Sequence, residues 1–345
     1  MLPGFREWPN DLVSLNRKRL IRAYDDGNEG VIQDPEQDDI LLDAMAWKTW
    51  SDAAGEFGTE GTGEGKLSDP YRFVAKHAPH AFPGPSQTVG DCVARSIANS
   101  ATISMFVEIE TGHVDEESGE SEGYDPVPDN SQGVLASEHL YGMRGHTRSG
   151  ASVSRLCTAV QKTSGLLMRR LHDIPGFGVI NLQNYDGMRG QRWGPMTPQS
   201  ISTYASAHRV REITAIESVE EARDAIANGY ACVVGSDAAF SSRRDQYGVS
   251  RTNARRWSHC MTFIGALDDP ADPSCMEHGR PLLLCQNSWG AFNSGGKRHS
   301  QPEGSFWVRP RTAAAMIGDG SCYALSSVAG WPRRELPDFG ASGII

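Results

Sequence analysis

The sequence predicts an α+β fold, because its helix-like segments precede most of its strand-like segments. Residues 92–110, CVARSIANSATISMFVEIE, are mostly apolar with few charges, as in a buried central helix. Further helix-like segments follow at 152–165 and 218–229. Short apolar runs typical of strands are YACVVGS, HCMTFIGAL, PLLLCQNSWG and GSFWVRP, at 230–236, 259–267, 281–290 and 304–310. This order differs from the regular alternation of strand and helix that builds a parallel sheet.

Each of the three helix-like segments begins with a residue that suits a helix N-terminus. Asp91 precedes the first helix and can cap it. Ser152 can cap the second helix, which is expected to end at Gly165. The third begins with the capping box Ser218-x-x-Glu221. These capping residues place the starts of three helices before, or at the beginning of, the strand-rich part of the chain.

The chain before residue 69 differs in composition from the rest. Residues 1–53 contain two helix-like stretches, DLVSLNRKRLIRAY and DDILLDAMAWKTW, and we expect an N-terminal arm that is a docking segment or a pro-segment. Residues 54–68 begin with AGEFGTEGTGEGK, which buries too little apolar surface to fold alone and is expected to be a linker. The main domain is expected at 69–330, followed by a tail at 331–345. Within that domain, the acidic residues 110–133 indicate an exposed loop.

The composition limits the classes of function that the chain can have. Its 345 residues are 39% hydrophobic, which is enough for a buried core in one large domain or two modest ones. The net charge is −10, so binding to nucleic acid would gain nothing from counterion release, and the pair Arg255-Arg256 is too short to change this. We therefore expect no nucleic-acid partner.

Neither membrane insertion nor export by the usual route is expected. No run approaches the roughly 20 apolar residues that a spanning helix needs. The first residues, MLPGFREWPNDLVSL, lack the apolar stretch of a signal peptide. We expect no membrane partner, and a location in the cytoplasm or within an assembled particle.

The cysteines argue against a disulfide framework or a zinc site. There are seven, an odd number, and no two form a C-x-x-C motif. They are Cys92, Cys157, Cys232, Cys260, Cys275, Cys285 and Cys322. We expect no metal and no other cofactor, and any reactive cysteine must be identified by its neighbours.

Cys92 stands where a thiol can be activated. A free cysteine has a pKa of about 8.5 and is mostly protonated at neutral pH, although the thiolate is the nucleophile. A helix N-terminus stabilises negative charge, and an imidazole can take the proton. Cys92 opens the central helix-like segment, so the first condition is expected to hold. The alternative is a buried cysteine with a purely structural role.

His259 and Asn287 can complete such a site. His259 begins the strand-like run SHCMTFIGAL, and Asn287 lies in QNSWG at the end of another such run. An asparagine carbonyl can accept the imidazole N–H and fix the ring, and Trp289 can exclude water from that hydrogen bond. The alternatives are a structural histidine and an ordinary turn.

The order of these motifs resembles that of the papain-like cysteine peptidases. In that family Cys, His and Asn occur in this order, the His is followed six residues later by Gly, and an Asn-Ser-Trp-Gly turn precedes a Gly-aromatic strand. His259 is likewise followed by Gly265. The resemblance covers about residues 69–330. The matching segments are QTVGDC, SHCMTFIG, QNSWG and EGSFWV.

The resemblance implies a fold of two subdomains with a cleft between them. One would carry the Cys92 helix, and the other a twisted, antiparallel, partly barrel-like sheet with His259 and Asn287. By position, Cys92 would be the nucleophile, His259 the general base and later acid, and Asn287 the residue that orients the imidazole. The substrate would be a peptide or protein, cleaved at an amide bond through a thioester.

The resemblance also implies supporting roles. Gln87 would donate to the oxyanion together with the backbone N–H of Cys92, and Trp289 and Gly290 would support the asparagine turn. The chain departs from the family pattern near the nucleophile. Four residues rather than the usual five separate Gln87 from Cys92, and Asp91 directly precedes the thiol.

Two other functions remain open from the sequence. The chain could be a papain-fold structural or assembly component, for example of a virus particle, with weak or lost activity and with residues 1–66 docked on other proteins. It could also be another thiol hydrolase with the Cys-then-His order, such as a cell-wall endopeptidase or a transglutaminase-like enzyme. QNSWG followed by GSFWV disfavours this last class.

Overall fold

The computed structural model describes residues 47–111 and 134–337. The first helix-like stretch of the arm, at 11–24, lies outside the described residues. The acidic segment expected as a loop at 110–133 lies almost entirely outside them as well.

Ten α-helices are found within the described residues. They are α1 (Trp50–Ala54), α2 (Tyr71–His77), α3 (Cys92–Thr111), α4 (Glu138–Gly142), α5 (Val153–Thr158), α6 (Gly187–Trp193), α7 (Gln199–Ala205), α8 (Val219–Ala227), α9 (Pro273–His278) and α10 (Pro310–Gly318). A π-helical turn, Ala159–Thr163, continues α5. The helices expected at 92–110, 152–165 and 218–229 correspond to α3, α5 with its π turn, and α8.

The strands form one large sheet and one small hairpin. They are β1 (Leu67–Ser68), β2 (Leu171–Ile174), β3 (Gly178–Asn181), β4 (Glu212–Ala215), β5 (Cys232–Arg244), β6 (Ser250–Leu267), β7 (Leu282–Gln286), β8 (Ser294–Gly295), β9 (Ser305–Val308) and β10 (Ser321–Ser326). The large sheet has the order β4-β10-β5-β6-β7-β9, with β1 also on β6 and β8 on β5, while β2 pairs with β3. Helices with a mainly antiparallel sheet confirm the predicted α+β class.

The four strand-like runs correspond to β5, β6, β7 and β9, although β5 and β6 are longer than their patterns indicated. Irregular register along this hairpin bends it, and an isolated bridge joins Val249 to Trp307 of β9. The sheet is therefore not closed into a barrel, but the turn of its β5–β6 hairpin contacts the edge strand β9. Within the β6–β7 ladder, Thr262 pairs with Gln286. This register brings His259 and Asn287 to the same end of the ladder.

Helix α3 is held on the sheet by a row of serines on one of its faces. Ser96 donates to the carbonyl of Met261 on β6, and Ser104 donates to that of Leu325 on β10 at 3.1 Å. Between them, Ser100 donates at 2.6 Å to the carbonyl of Ala231, next to β5. The spacing of four residues keeps these side chains on one helix face. The row fixes the helix, and therefore Cys92 at its start, relative to three segments of the sheet.

Two of the three predicted helix caps are present. The Ser152 and Ser218 hydroxyls accept from the backbone N–H groups of Arg155 and Glu221. The predicted cap by Asp91 is not what the structure shows. Its carboxylate Oδ2 accepts instead from the hydroxyl of Tyr185, at 2.9 Å.

The Gly/Glu-rich segment lies against the body of the protein. The backbone N–H groups of Gly61 and Gly63 donate to the carboxylate of Asp224 on α8, at 2.8 and 3.1 Å. That of Gly65 donates to Asp268 at 3.2 Å, and β1 then pairs with β6. The described residues thus place this expected linker in continuous contact with the body. The predicted division into arm, linker and main domain stays a prediction.

Just before that segment, α1 packs into one of the two large apolar cores. Trp50 is 2% exposed, and its ring lies 5.7 Å from that of Tyr230 and 5.2 Å from that of Trp331. This core covers one face of the sheet, and the core that contains α3 covers the other. Among residues 47–111 and 134–337, no helix has the length and apolarity required to span a bilayer.

Candidate active site

The structure brings His259 and Asn287 into direct contact. His259 Nε2 lies 2.9 Å from Asn287 Oδ1. The same oxygen accepts from the backbone N–H of Ser288 at 2.7 Å. Because a backbone N–H is always a donor, this contact identifies the amide atom as oxygen, and the imidazole must donate to it from Nε2. In the neutral ring, Nδ1 is then left with a lone pair and can act as a base.

Aromatic rings cover this pair. The ring of Trp289 lies 4.6 Å from that of His259 at an angle of 31°, and the ring of Trp257 lies 4.7 Å from Trp289. His259 and Asn287 are each 3% exposed. Excluding water strengthens the hydrogen bond between them. Trp257 was not identified from the sequence, although its position two residues before His259 was a usable signal.

Cys92 is the first residue of α3 and lies beside the strand that carries His259. It is 2% exposed, and the backbone of Cys260, the residue after His259, is close enough to the sulfur to lower the thiol pKa against the effect of burial. Among the described residues, the sulfur forms no hydrogen bond with the His259 ring. Cys92, at the start of α3, therefore lies close to Cys260, the residue that follows His259 on β6.

Burial sets the protonation state of the pair. Burial raises the pKa of the Cys92 thiol to about 11, which the Cys260 N–H opposes and the nearby charge of Asp91 reinforces. Burial also lowers the pKa of His259 to about 4, against the opposing effect of its hydrogen bond to Asn287. At neutral pH the resting site therefore holds a neutral thiol and a neutral imidazole.

This state predicts how the reactivity of Cys92 depends on pH. Since the thiolate is the reactive form, the alkylation rate of Cys92 with iodoacetamide should rise about tenfold per pH unit from pH 7 towards 10. The rate is measured by mass spectrometry of the Cys92 peptide, with alkylation of the unfolded protein as the reference. A rate that is already constant below pH 7 would instead indicate a thiolate–imidazolium pair and contradict the prediction.

The loop of Gln87 is paired with the asparagine turn. Gln87 N donates to the carbonyl of Ser288 at 2.8 Å, and the Ser288 hydroxyl donates to Gln87 Oε1. Gln87 Nε2 donates one N–H to the carbonyl of Val89 at 3.1 Å, and an amide nitrogen carries a second. Gly290 closes the turn with φ of 60°, a left-handed conformation that favours glycine. Ser288 therefore links the Gln87 loop to the His259–Asn287 pair.

A second set of contacts anchors the same loop to α3. The Tyr185 hydroxyl donates to Asp91 Oδ2 and accepts from the backbone N–H of Thr88 at 3.1 Å. The Arg95 guanidinium lies 4.5 Å above the Tyr185 ring and donates to the carbonyl of Pro85. Burial raises the pKa of Asp91 to about 6, and Arg95 opposes this shift. Arg95 lies one helical turn after Cys92, whereas nothing in the sequence singled out Tyr185.

Within the described residues, no three His, Cys, Asp or Glu side chains are grouped so that they could hold a metal ion. All seven cysteines are buried and free.

The comparisons with known proteins give structural similarity alone, since no family model and no curated protein matches the chain. Xylellain, a cysteine protease from Xylella fastidiosa, aligns with a TM-score of 0.47 and 13% identity over 76% of this chain and 85% of its own. Procathepsin L 3 of Tenebrio molitor aligns with a TM-score of 0.42 and 10% identity over 92% of this chain and 100% of its own. Bromelain from Ananas comosus, in complex with the E64 inhibitor, aligns with a TM-score of 0.43 and 11% identity over 76% of this chain and 98% of its own.

Proposed function

We propose that this protein is a thiol-dependent hydrolase that cleaves peptide bonds with Cys92, His259 and Asn287. The observation that supports this most directly is the 2.9 Å hydrogen bond between His259 and Asn287. It assigns the imidazole proton to Nε2 and leaves Nδ1 as a base. Cys92 stands at the start of a buried helix, next to the strand of that base.

In the proposed reaction, His259 Nδ1 takes the thiol proton while the Cys92 sulfur attacks the carbonyl carbon of the scissile bond. The tetrahedral intermediate carries its negative charge on the former carbonyl oxygen, which accepts from the Cys92 backbone N–H and the Gln87 amide. Each such donor is typically worth about 10²–10³ in rate.

The intermediate then collapses and breaks the carbon–nitrogen bond. The imidazolium gives its proton to the departing amine, and the acyl group remains on Cys92 as a thioester. A water molecule gives a proton to His259 Nδ1 and attacks the thioester carbonyl. Breakage of the carbon–sulfur bond releases a carboxylic acid, and the imidazolium returns its proton to the sulfur, which restores the thiol. Asn287 keeps Nδ1 directed at the sulfur throughout.

The test is selective labelling combined with hydrolysis. The native protein is incubated under reducing conditions with an epoxide that targets thiol proteases, and the peptides are analysed by mass spectrometry. We expect an adduct on Cys92 and hydrolysis of an unfolded protein such as casein, with both lost in Cys92→Ser. Cys260→Ser is the matched control, since it replaces the neighbouring buried cysteine and should keep the adduct. Absence of both adduct and hydrolysis in the folded wild-type protein would refute the proposal.

A second candidate is a non-catalytic component with the same fold. The observation that favours it is the burial of the Cys92 thiol, which is 2% exposed and forms no hydrogen bond with the His259 ring among the described residues. This candidate predicts a folded protein that neither hydrolyses casein nor reacts with the epoxide. Docking on other proteins through residues 1–66 stays a prediction, because residues 1–46 lie outside the described part of the chain.

A further inference from the structure

The phenol of Tyr185 lies between the loop of Gln87 and the helix of Cys92. Its hydroxyl donates to Asp91 Oδ2 at 2.9 Å and accepts from the backbone N–H of Thr88 at 3.1 Å. Thr88 directly follows Gln87, and Asp91 directly precedes Cys92. One hydroxyl therefore joins the neighbour of the proposed oxyanion donor to the neighbour of the proposed nucleophile.

The direction of both hydrogen bonds is determined by chemistry. A backbone N–H can only donate, so the Tyr185 oxygen accepts from Thr88, and its single proton is available to Asp91. Burial raises the pKa of Asp91 to about 6, with the charge of Arg95 opposing this shift, so at pH 7 the carboxylate is mostly ionised. A hydrogen bond to an ionised acceptor is roughly twice as strong as a neutral one. The bond between Tyr185 and Asp91 thus fixes where the hydroxyl meets the loop.

Tyr185 is itself held by buried groups. The guanidinium carbons of Arg95 and Arg169 lie 4.5 and 6.0 Å from the centre of its ring. The backbone N–H of the next residue, Asp186, donates to Glu138 Oε1 at 2.9 Å. Glu138 is fully buried and forms an ion pair with Arg169 at 3.1 Å. The ring is thus attached to a buried ion pair of the body rather than to another surface loop.

The loop also packs closely against the residue at position 187. A Cβ added to Gly187 would lie 2.4 Å from the Tyr185 hydroxyl oxygen. It would also lie 2.8 Å from Val89 Cγ2 and 2.9 Å from Thr88 Oγ1. These distances are shorter than real Cβ atoms show, so only glycine allows the loop and the phenol to approach this closely.

We propose that Tyr185 is a positioning residue for the oxyanion donor, because it holds Thr88, and therefore the Gln87 amide, at a fixed place relative to Cys92. This inference rests on the proposed function, in which the Gln87 amide and the Cys92 N–H bind the oxyanion. Donors of this kind are effective because they are fixed before the reaction begins. The neighbours of Gln87 on both sides, Ser86 and Thr88, are exposed, so the loop has little buried surface of its own and depends on such contacts.

The first test is amide hydrogen exchange of the folded protein in D2O, followed by mass spectrometry of overlapping peptides that include Thr88. In wild type, the Thr88 amide should exchange more slowly than an unprotected amide. Tyr185→Phe keeps the ring and removes the hydroxyl, and it should speed this exchange about fivefold, the equivalent of one hydrogen bond. Unprotected exchange at Thr88 in wild type, or an unchanged rate in Tyr185→Phe, overturns the proposal.

Tyr204→Phe is the matched control, because it removes a tyrosine hydroxyl from another part of the protein. Tyr204 is half-buried on α7, and its ring contacts that of His172. Within the described residues its hydroxyl forms no hydrogen bond. This variant should leave the exchange rate of Thr88 unchanged. If it speeds the exchange as much as Tyr185→Phe does, the effect is a general loosening and the proposal fails.

The second test is a double-mutant cycle with Gln87. Tyr185→Phe should lower kcat for peptide hydrolysis about tenfold and change KM little, because a misplaced oxyanion donor weakens binding mainly in the transition state. In a Gln87→Ala background the same change should have almost no further effect, since the amide to be positioned is absent. Equal losses in the two backgrounds would show that Tyr185 acts through something other than Gln87, which contradicts the proposal.

Hydrogen exchange does not require catalysis, so the two proposals can fail separately. An inactive wild-type protein whose Thr88 amide is slowed by the Tyr185 hydroxyl would reject the proposed function but confirm that Tyr185 holds the loop. An active protein in which Tyr185→Phe leaves both the exchange rate and kcat unchanged would reject the positioning role alone.

Discussion

Replacing His259 with alanine is expected to lower kcat/KM for peptide hydrolysis by about 10²–10⁴-fold, the usual contribution of a general base. The reason is that the ring supplies the lone pair at Nδ1, while its Nε2 proton is fixed by Asn287. The measurement is steady-state hydrolysis of a peptide that the wild-type protein cleaves. The loss should appear mainly in kcat, because the proton transfer belongs to the transition state.

The matched control for this prediction is His172→Gln. His172 is also a buried histidine, 4% exposed, but its Nε2 lies 2.8 Å from the carbonyl of Met168, away from Cys92. A glutamine side chain can donate to the same carbonyl. We expect its kcat/KM to stay within a few-fold of wild type. If His259→Ala behaved like the control, His259 would not be the base.

The second large effect is expected on stability, from Trp50→Ala. Trp50 lies in the segment whose sequence indicated an arm, yet it packs against Tyr230 and Trp331 in a large core. Truncating a buried tryptophan costs about 3–5 kcal/mol in the free energy of unfolding. Urea denaturation at fixed pH measures this difference. Glu60→Ala, at an exposed position of the following segment, should change it by less than about 0.5 kcal/mol.

A loss below about 1 kcal/mol in Trp50→Ala would mean that the segment around α1 is peripheral, as expected of a removable arm. The larger loss would mean that any processing which leaves the body stable must occur before Trp50. The two outcomes therefore distinguish a pro-segment that includes α1 from an integral part of the fold.

The fold was predictable where local pattern determines structure. The apolar run of α3 predicted its helix correctly. The capping serines at 152 and 218 did the same for α5 and α8, because the contacts involved lie within a few residues. The packing of 54–66 was not predictable in this way. Its glycine N–H groups bind Asp224 and Asp268, which are more than 160 residues away, and composition carries no information about such partners.

The same distinction applies to the candidate site. The motifs identified His259 and Asn287, which meet because β6 and β7 pair in the register that Thr262 and Gln286 show. They did not identify how far the pKa of the Cys92 thiol is raised, since this depends mainly on burial. Likewise, Asp91 suited a helix cap locally, but a distant tyrosine binds its carboxylate.

The serine row on α3 has a consequence for heat inactivation. Because three hydroxyls tie the helix to β6, to the start of β5 and to β10, the helix cannot shift alone without giving up these bonds together. Cys92 on α3 and His259 on β6 thus lie on elements that we expect to unfold together. Any loss of the proposed hydrolase activity on warming should therefore coincide with cooperative unfolding of the body, rather than precede it.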